Sequence, residues 1–381
     1  MTWIEPIARG WVVRGEVPGP DVDEFADPVA ITGALATGIG GLLAVQHPQR
    51  TPAALAKGAT LDEALPAARE ALHALRDEHY DEVSNVVALY QVDGPDASAC
   101  GLLCLVDPAA VDVDGTLRVR HSEEVYPAVV AERAAALAGL GCATSAAMLV
   151  PVTDGDVLTE AVTAAIGRAG SPAVQAKDAA GRAHRLWLLG PGGERQALLE
   201  LAGRRPLLVA DGNHRVAAAS GTGKLLALIT GGPDLRIGAF HRVLAGTGKT
   251  LADLERAWRA AGLTVDPAGE PRPGVVVARA GDGAIEVVLP VPDGPGPHID
   301  HATVERVLLA DALGLDPEGD HVRPIPAGAD PGPDADALLM LAPVSLAELL
   351  AVHAAGRTMP RKCTYFQPKP RSGLLLADLH L

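Results

Sequence analysis

Short apolar runs alternate with polar, glycine- and proline-rich joints along the chain, a pattern that predicts many short strands and fewer amphipathic helices. Val86–Val92 and Gly101–Val106 read as the strands of a hairpin turned at Gly94-Pro95-Asp96. Met148–Val152, Leu186–Leu189, Leu225–Thr230 and Ile237–Leu244 read as further strands, and so does the run at Gly41–Gln46. A second hairpin joins Val275–Ala280 to Ile285–Leu289 across Gly281-Asp282-Gly283, between loops at Pro267–Gly274 and Pro292–Pro297. Helices announce themselves by their starts. Thr60-Leu61-Asp62-Glu63 resembles a capping box, with Leu61, Leu65, Leu72 and Leu75 behind it at near-helical spacing. Pro66 is expected to interrupt that helix or delay its start. Pro127 suits a helix start and Gly141 its end. Thr250 to Asp253 caps a helix presenting Leu251, Leu254, Trp258 and Ala261, while Ser345 to Glu348 caps another that ends at Gly356. A helix at His301–Leu313 stops at Gly314. No internal repeat is visible, and the change of texture near Thr250 places a boundary near residue 245, giving portions 1–245 and 246–381.

The segment Leu207–Ala219, LLVADGNHRVAAA, puts a buried strand, the turn pair Asp211-Gly212 and a helix start in immediate succession. Asn213, His214 and Arg215 fall in the first helical turn, where a cation opposes the helix dipole by about 0.3–1 kcal/mol. A bound anion such as phosphate would resolve that opposition, since helix starts fed by glycine bind anions through free N–H groups. The alternative is an Asp211 N-cap, a conformational glycine and two surface cations.

Composition narrows the function classes. With 381 residues the chain is long enough for two domains or one elaborated one, and 48% hydrophobic content is that of a globular protein. A net charge of −15 argues against a general nucleic-acid surface, without excluding a local cationic pocket. No apolar run reaches the roughly 18–20 residues of a membrane span, and MTWIEPIARGWVVRGE lacks the pattern of a signal peptide. Cys100 and Cys104 lie on a strand-like run without a second pair to make a zinc site; with Cys142 and Cys363 they read as buried thiols of a cytoplasmic protein.

Three glycine motifs are decoys. Gly246-Thr-Gly-Lys-Thr250 ends like a phosphate-binding loop, but Val243 holds the place of its first glycine. Gly221-Thr-Gly-Lys224 fails at Ala218 and Leu225, and Gly38-Ile-Gly40-Gly41 lacks the last glycine of a dinucleotide fingerprint. Other segments carry better chemistry. Thr358–Gly373 gathers Arg361, Lys362, Lys369 and Arg371 with Tyr365 and Phe366 in a chain only 3% aromatic. Its three prolines keep it extended, so it is either a source of phosphate contacts and a stacking surface or a tail packed back on its domain. Arg118 to Glu124 places alternating cations before Glu123-Glu124, read either as phosphate and base groups or as a Ser122 cap with acids in the next helix's first turn. His241-Arg242 repeats the residue types of the His214-Arg215 pair and no more, and Asp300, between His298 and His301, is read as a helix cap.

Together these segments resemble the domain-of-unknown-function 1015 (DUF1015) family. Ala210–Arg215, ADGNHR, is similar to its ADGHHR signature; Met359–Leu376 is similar to its C-terminal MPxKSTYFxPK–GL signature; His121–Val125, with Glu132-Arg133 downstream, is similar to its middle segment. Asn213 replaces the usual first histidine, Cys363 stands where serine is usual, and Asp27-Pro28-Val29 is a poor remnant of an N-terminal PPYDV-like segment. The family looks related to free-serine kinases of ParB/sulfiredoxin-like fold. The resemblance implies an α+β protein of mixed sheets and helices, with a ParB/sulfiredoxin-like core and a C-terminal α/β portion. It implies a small-molecule kinase transferring phosphoryl from ATP or ADP, with Mg2+, to the hydroxyl of free L-serine or a similar hydroxy amino acid. A non-catalytic nucleotide or phospho-metabolite sensor is the alternative, while Asn213 speaks against a sulfiredoxin-like reductase and the charge against a DNA clamp. In the kinase reading Gly212, Asn213, His214 and Arg215 hold phosphates, with Lys362, Tyr365 and Lys369 as further nucleotide contacts. Glu123, Asp211 and His214 are then the catalytic candidates, with Glu123 or Asp211 as base or Mg2+ ligand, and neither nucleic acid nor membrane is expected as a partner.

Overall fold

Runs such as Leu225–Thr230 carry no polar alternation because both of their faces are covered. In the computed structural model, which describes residues 2–20, 28–37, 41–95, 97–281, 283–291 and 297–380, Leu225, Ala227 and Ile229 enter one apolar cluster and Leu226 and Leu228 another on the opposite face. Leu158, Val162 and Ala165 of the Gly155–Arg168 helix cover the first face, and Leu72 of the Leu61–His79 helix lies in the cluster on the second. Asp27, Gly38-Ile39-Gly40, Asp96, Asp282 and residues 292–296 fall outside the described residues, and with them parts of two expected turns, one loop and one glycine motif.

The chain divides into two compact units, one comprising Met1–His121, Val125–Leu235 and Gln367–Leu381, the other Ser122–Glu124 and Arg236–Phe366. A mixed sheet of 12 strands organises the first unit. Leu207–Asp211 pairs antiparallel with Ala147–Pro151, which runs parallel to Leu225–Pro233, which in turn pairs antiparallel with Ser98–Val106. The hairpin expected from sequence is present as Tyr80–Asp93 on Ser98–Val106. The second unit holds a six-stranded antiparallel sheet in the order Val265–Pro267, Gly283–Val288, Val275–Ala280, Ala335–Met340, Phe240–Ala245 and Val322–Pro326. Its core gathers Trp258, Leu244, Leu254, Val276, Leu308 and Leu339. The architecture is α+β with mixed sheets. Among the described residues no helix is long and apolar enough to cross a membrane.

Helices with a capping box form where the sequence places them: Thr60, Thr250 and Ser345 each bond the backbone N–H three residues on. Several expectations are corrected. Leu42–Gln46 is a helix, burying Leu42, Leu43 and Val45, because a short apolar run fits either period. Pro66 neither ends nor delays the Leu61–His79 helix: it sits inside it as the sixth residue, past a first turn secured by the Thr60–Glu63 capping box. Ile237–Leu244 splits into Arg236–Gly238, paired with Tyr365–Gln367, and Phe240–Ala245 in the larger sheet. The expected His301–Leu313 helix is present but changes geometry: it is α-helical over Asp300–Thr303, widens to π geometry through Asp311, and is α-helical again at Ala312 and Leu313. Asp300 does not cap it: its carboxylate accepts the Gly274 N–H at 2.8 Å. Ser122 likewise caps no helix, since the Pro127–Leu140 helix starts from Tyr126 without acids in its first turn.

Candidate active site

The Leu207–Asp211 strand loses regular register between Val209 and Asp211, and this irregularity turns the chain into the helix Asn213–Ala219. Gly212 makes the turn at φ +93°, and a Cβ on it would lie 2.7 Å from Arg215 Nε, so both backbone and space require glycine. Gly212 occupies the N-cap position without any side-chain cap bond, so Asp211 does not cap the helix. The Asp211 carboxylate instead accepts from the Arg215 guanidinium, which also donates to the Ala146 carbonyl. This i,i+4 pair offsets the cost of a cation at the helix start. Lys369 Nζ meets the other carboxylate oxygen, Asp211 Oδ1, at 3.0 Å. One carboxylate is thus clasped by two cations, both partly buried.

The two histidines beside this clasp are not additional cations. His214 Nε2 accepts the Tyr126 backbone N–H at 3.0 Å, which assigns the ring proton to Nδ1 and makes the ring neutral. Its ring stacks on Tyr126, with centroids 5.8 Å apart and planes 6° from parallel. His121 Nδ1 meets Asn213 Oδ1 at 3.1 Å. Burial holds the His121 imidazole below its usual pKa, and the Asn213 hydrogen bond works the other way. Asn213 is itself buried, fixed by the partner that sequence reading did not give it.

Glu123, Lys362 and Tyr365 form a cluster of their own in the second unit. The Glu123 carboxylate accepts the backbone N–H groups of Lys362, Cys363 and Thr364 at 3.1, 3.2 and 2.8 Å, and the Thr364 hydroxyl as well. Met359 N–H donates to the Ser122 carbonyl at 2.8 Å, completing the hold on the MPRKCT segment. Lys362, at φ 51°, places Nζ 5.9 Å from the centre of the Phe240 ring, against which Tyr365 packs edge-on. Arg361 pairs with Glu318 and, at 3.7 Å, with Glu124. The fully buried Cys363 thiol is pushed up by burial and by the nearby Glu123 carboxylate, so this position is not a reactive nucleophile. All four cysteines are free and buried, as expected from sequence.

One network has no local signature in the sequence. The Tyr90 hydroxyl meets His184 Nδ1 at 2.6 Å, His184 Nε2 meets Asp178 Oδ2 at 3.1 Å, and Tyr90 oxygen accepts the Arg371 backbone N–H at 3.0 Å. Tyr90 and His184 are both 1% exposed. Burial lowers the His184 pKa against the pull of Asp178, and burial raises that of Tyr90. The network anchors the chain two residues beyond Lys369, and so fixes the second cation of the clasp. An aromatic in an aromatic-poor chain was the sole hint to Tyr90. Among the described residues no group of three or more His, Cys, Asp or Glu side chains is placed to hold a metal ion.

The model of a family described as "Protein of unknown function (DUF1015)" matches residues 50–263. No curated protein matches the chain. Among solved structures, a conserved hypothetical protein from Pyrococcus furiosus is similar at 12% identity and TM-score 0.39, over 73% of this chain and 95% of that one. A free serine kinase in complex with AMP is similar at 14% identity and TM-score 0.39, over 71% and 92%. SbnI with C-terminal truncation from Staphylococcus aureus is similar at 17% identity and TM-score 0.43, over 72% and 87%. None of these likenesses assigns a role to a residue of this chain.

Proposed function

The chain belongs to the DUF1015 family, and we propose that it is a small-molecule kinase moving a phosphoryl group from ATP or ADP to the hydroxyl of free L-serine or a similar hydroxy amino acid. The observation that carries this reading is the clasp of Asp211 by Arg215 and Lys369. The Asp211 carboxylate stands where phosphate oxygens would be welcome: between two cations, beside a glycine turn. An incoming polyphosphate exchanges for it, engaging Arg215 and Lys369 through charge-assisted hydrogen bonds and releasing Asp211. Gly212 allows close backbone approach, and the Asn213 and His214 side chains, held by His121 and Tyr126, keep the turn rigid.

Phosphoryl transfer depends mainly on positioning and charge neutralisation. The serine oxygen forms its bond to the terminal phosphorus while the bond to the departing ADP or AMP oxygen breaks, and the hydroxyl proton passes to the freed Asp211 carboxylate. We assign this base to Asp211 rather than Glu123, whose oxygens already take three backbone donors and one hydroxyl. Glu123 then acts by holding Lys362 and Tyr365 in place. Mg2+ would supply charge neutralisation of the transferring group, and Asp211 is the carboxylate of the turn that would hold it.

The test is phosphorus NMR of the full chain with ATP and with ADP against a panel of hydroxy amino acids. Formation of an O-phospho amino acid with matching loss of the donor is the expected result. No product from any pair, together with measurable nucleotide binding, would replace the kinase by a nucleotide sensor. That second reading draws on Asn213, a non-titrating residue held by His121 in the middle of the turn.

A further inference from the structure

Arg371, Tyr90, His184 and Asp178 make a chain of hydrogen bonds whose direction is fixed at both ends. The Arg371 backbone N–H can only donate, and it meets the Tyr90 oxygen at 3.0 Å. The Asp178 carboxylate accepts the Arg182 backbone N–H at 2.8 Å and stands 3.1 Å from His184 Nε2. One arrangement satisfies every group between them. Tyr90 O–H donates to His184 Nδ1, 2.6 Å away, and the neutral imidazole donates its Nε2–H to Asp178. Tyr90 and His184 are each 1% exposed, so bulk water does not stand in for a missing partner.

The chain of bonds breaks when His184 takes up a proton. Nδ1 then becomes a second donor facing the Tyr90 oxygen, and the Tyr90 proton loses its acceptor. Burial, above all, holds the imidazole below its usual pKa; Asp178 pulls the other way, and Arg371 and Arg182 add to the effect of burial. The ring is therefore neutral at pH 7 and charges only in acid.

What these bonds hold is a stiff piece of backbone. Lys369 lies between Pro368 and Pro370, and Arg371 follows directly. Proline fixes φ on either side of Lys369, so a shift at Arg371 is carried to Lys369 and its contact with Asp211.

We infer that Tyr90, His184 and Asp178 are positioning residues for Lys369, and that a proton on His184 releases this hold and lowers nucleotide affinity. The inference rests on the phosphate reading of the Arg215–Lys369 clasp.

Calorimetric titration of ADP from pH 8 to pH 5 into full-length wild type, Tyr90→Phe, Asp178→Asn and Lys369→Ala tests it, with circular dichroism checking the fold at each pH. Proton uptake by ADP itself is common to all four. Wild-type affinity is expected to fall in acid. Tyr90→Phe is expected to bind roughly threefold more weakly at pH 8, the size of one lost hydrogen bond, and to converge on wild type at pH 5, where no hold is left to release. Asp178→Asn lacks the charge that favours the imidazolium, so its fall should lie at lower pH. A merely structural loss would leave the curves parallel. Parallel wild-type and Tyr90→Phe curves, or an unmoved fall in Asp178→Asn, overturn the inference, while weaker binding by Lys369→Ala keeps the phosphate reading standing. Unchanged affinity of Lys369→Ala at pH 8 removes that reading, and the inference with it.

Discussion

Asp211 decides how the site works, because a carboxylate sharing two cations is both a placeholder for phosphate and a base in waiting. Removing either cation weakens what a nucleotide gains on entry. Arg215→Ala and Lys369→Ala are each expected to lower ATP or ADP affinity at least tenfold, about 1.4 kcal/mol, as read by equilibrium titration. Unchanged affinity in both would remove the phosphate from this turn. The sequence made Gly212, His214 and Arg215 conspicuous through their place at a helix start, and that much was legible because strand, turn and helix are local. The partners were not. Lys369 reaches Asp211 from 158 residues away, and His214 becomes a neutral acceptor through the backbone of Tyr126, 88 residues earlier. Neither pairing has any spacing that a linear reading could use.

At the scale of elements, local chemistry was the most readable. The capping boxes at Thr60, Thr250 and Ser345 each close within three residues, so their signatures survive any tertiary context. Thr250→Ala is expected to cost about 1 kcal/mol of stability, measured by urea unfolding, with nucleotide binding unaltered. The helices Gly155–Arg168 and Gly193–Ala202 went unread because neither start has a side-chain cap bond. The turn into the Asn213–Ala219 helix is the element on which the site depends. Gly212→Ala forces a side chain into positive φ and against Arg215. It should reduce nucleotide affinity at least as much as Arg215→Ala while leaving the Thr250-capped helix intact; an alanine variant that binds normally would show that the turn does not position the cation.

Across the whole molecule, charge and burial set the conditions under which the site acts. Buried His301 donates Nε2–H to the Phe240 carbonyl at 3.0 Å, and burial pushes its pKa down to about 3. The unfolded chain takes up a proton near the ordinary value of 6.5 while the folded chain does not. The stability this histidine contributes is therefore present above pH 6.5 and is lost as pH falls towards about 3. The urea midpoint of wild type should fall across that window, and that of His301→Gln should fall less; parallel curves would exclude His301 as a source of acid lability. A net charge of −15 repels nucleotides at long range, so the clasp must supply the local attraction, and salt should weaken the repulsion and the clasp together. The most direct measurement of that clasp is calorimetric titration of ATP and ADP into wild type and Asp211→Asn. Loss of the carboxylate should tighten nucleotide binding several-fold while phosphoryl transfer falls roughly 10²–10⁴-fold. Weaker or unchanged binding in Asp211→Asn would contradict a carboxylate that holds the place of phosphate.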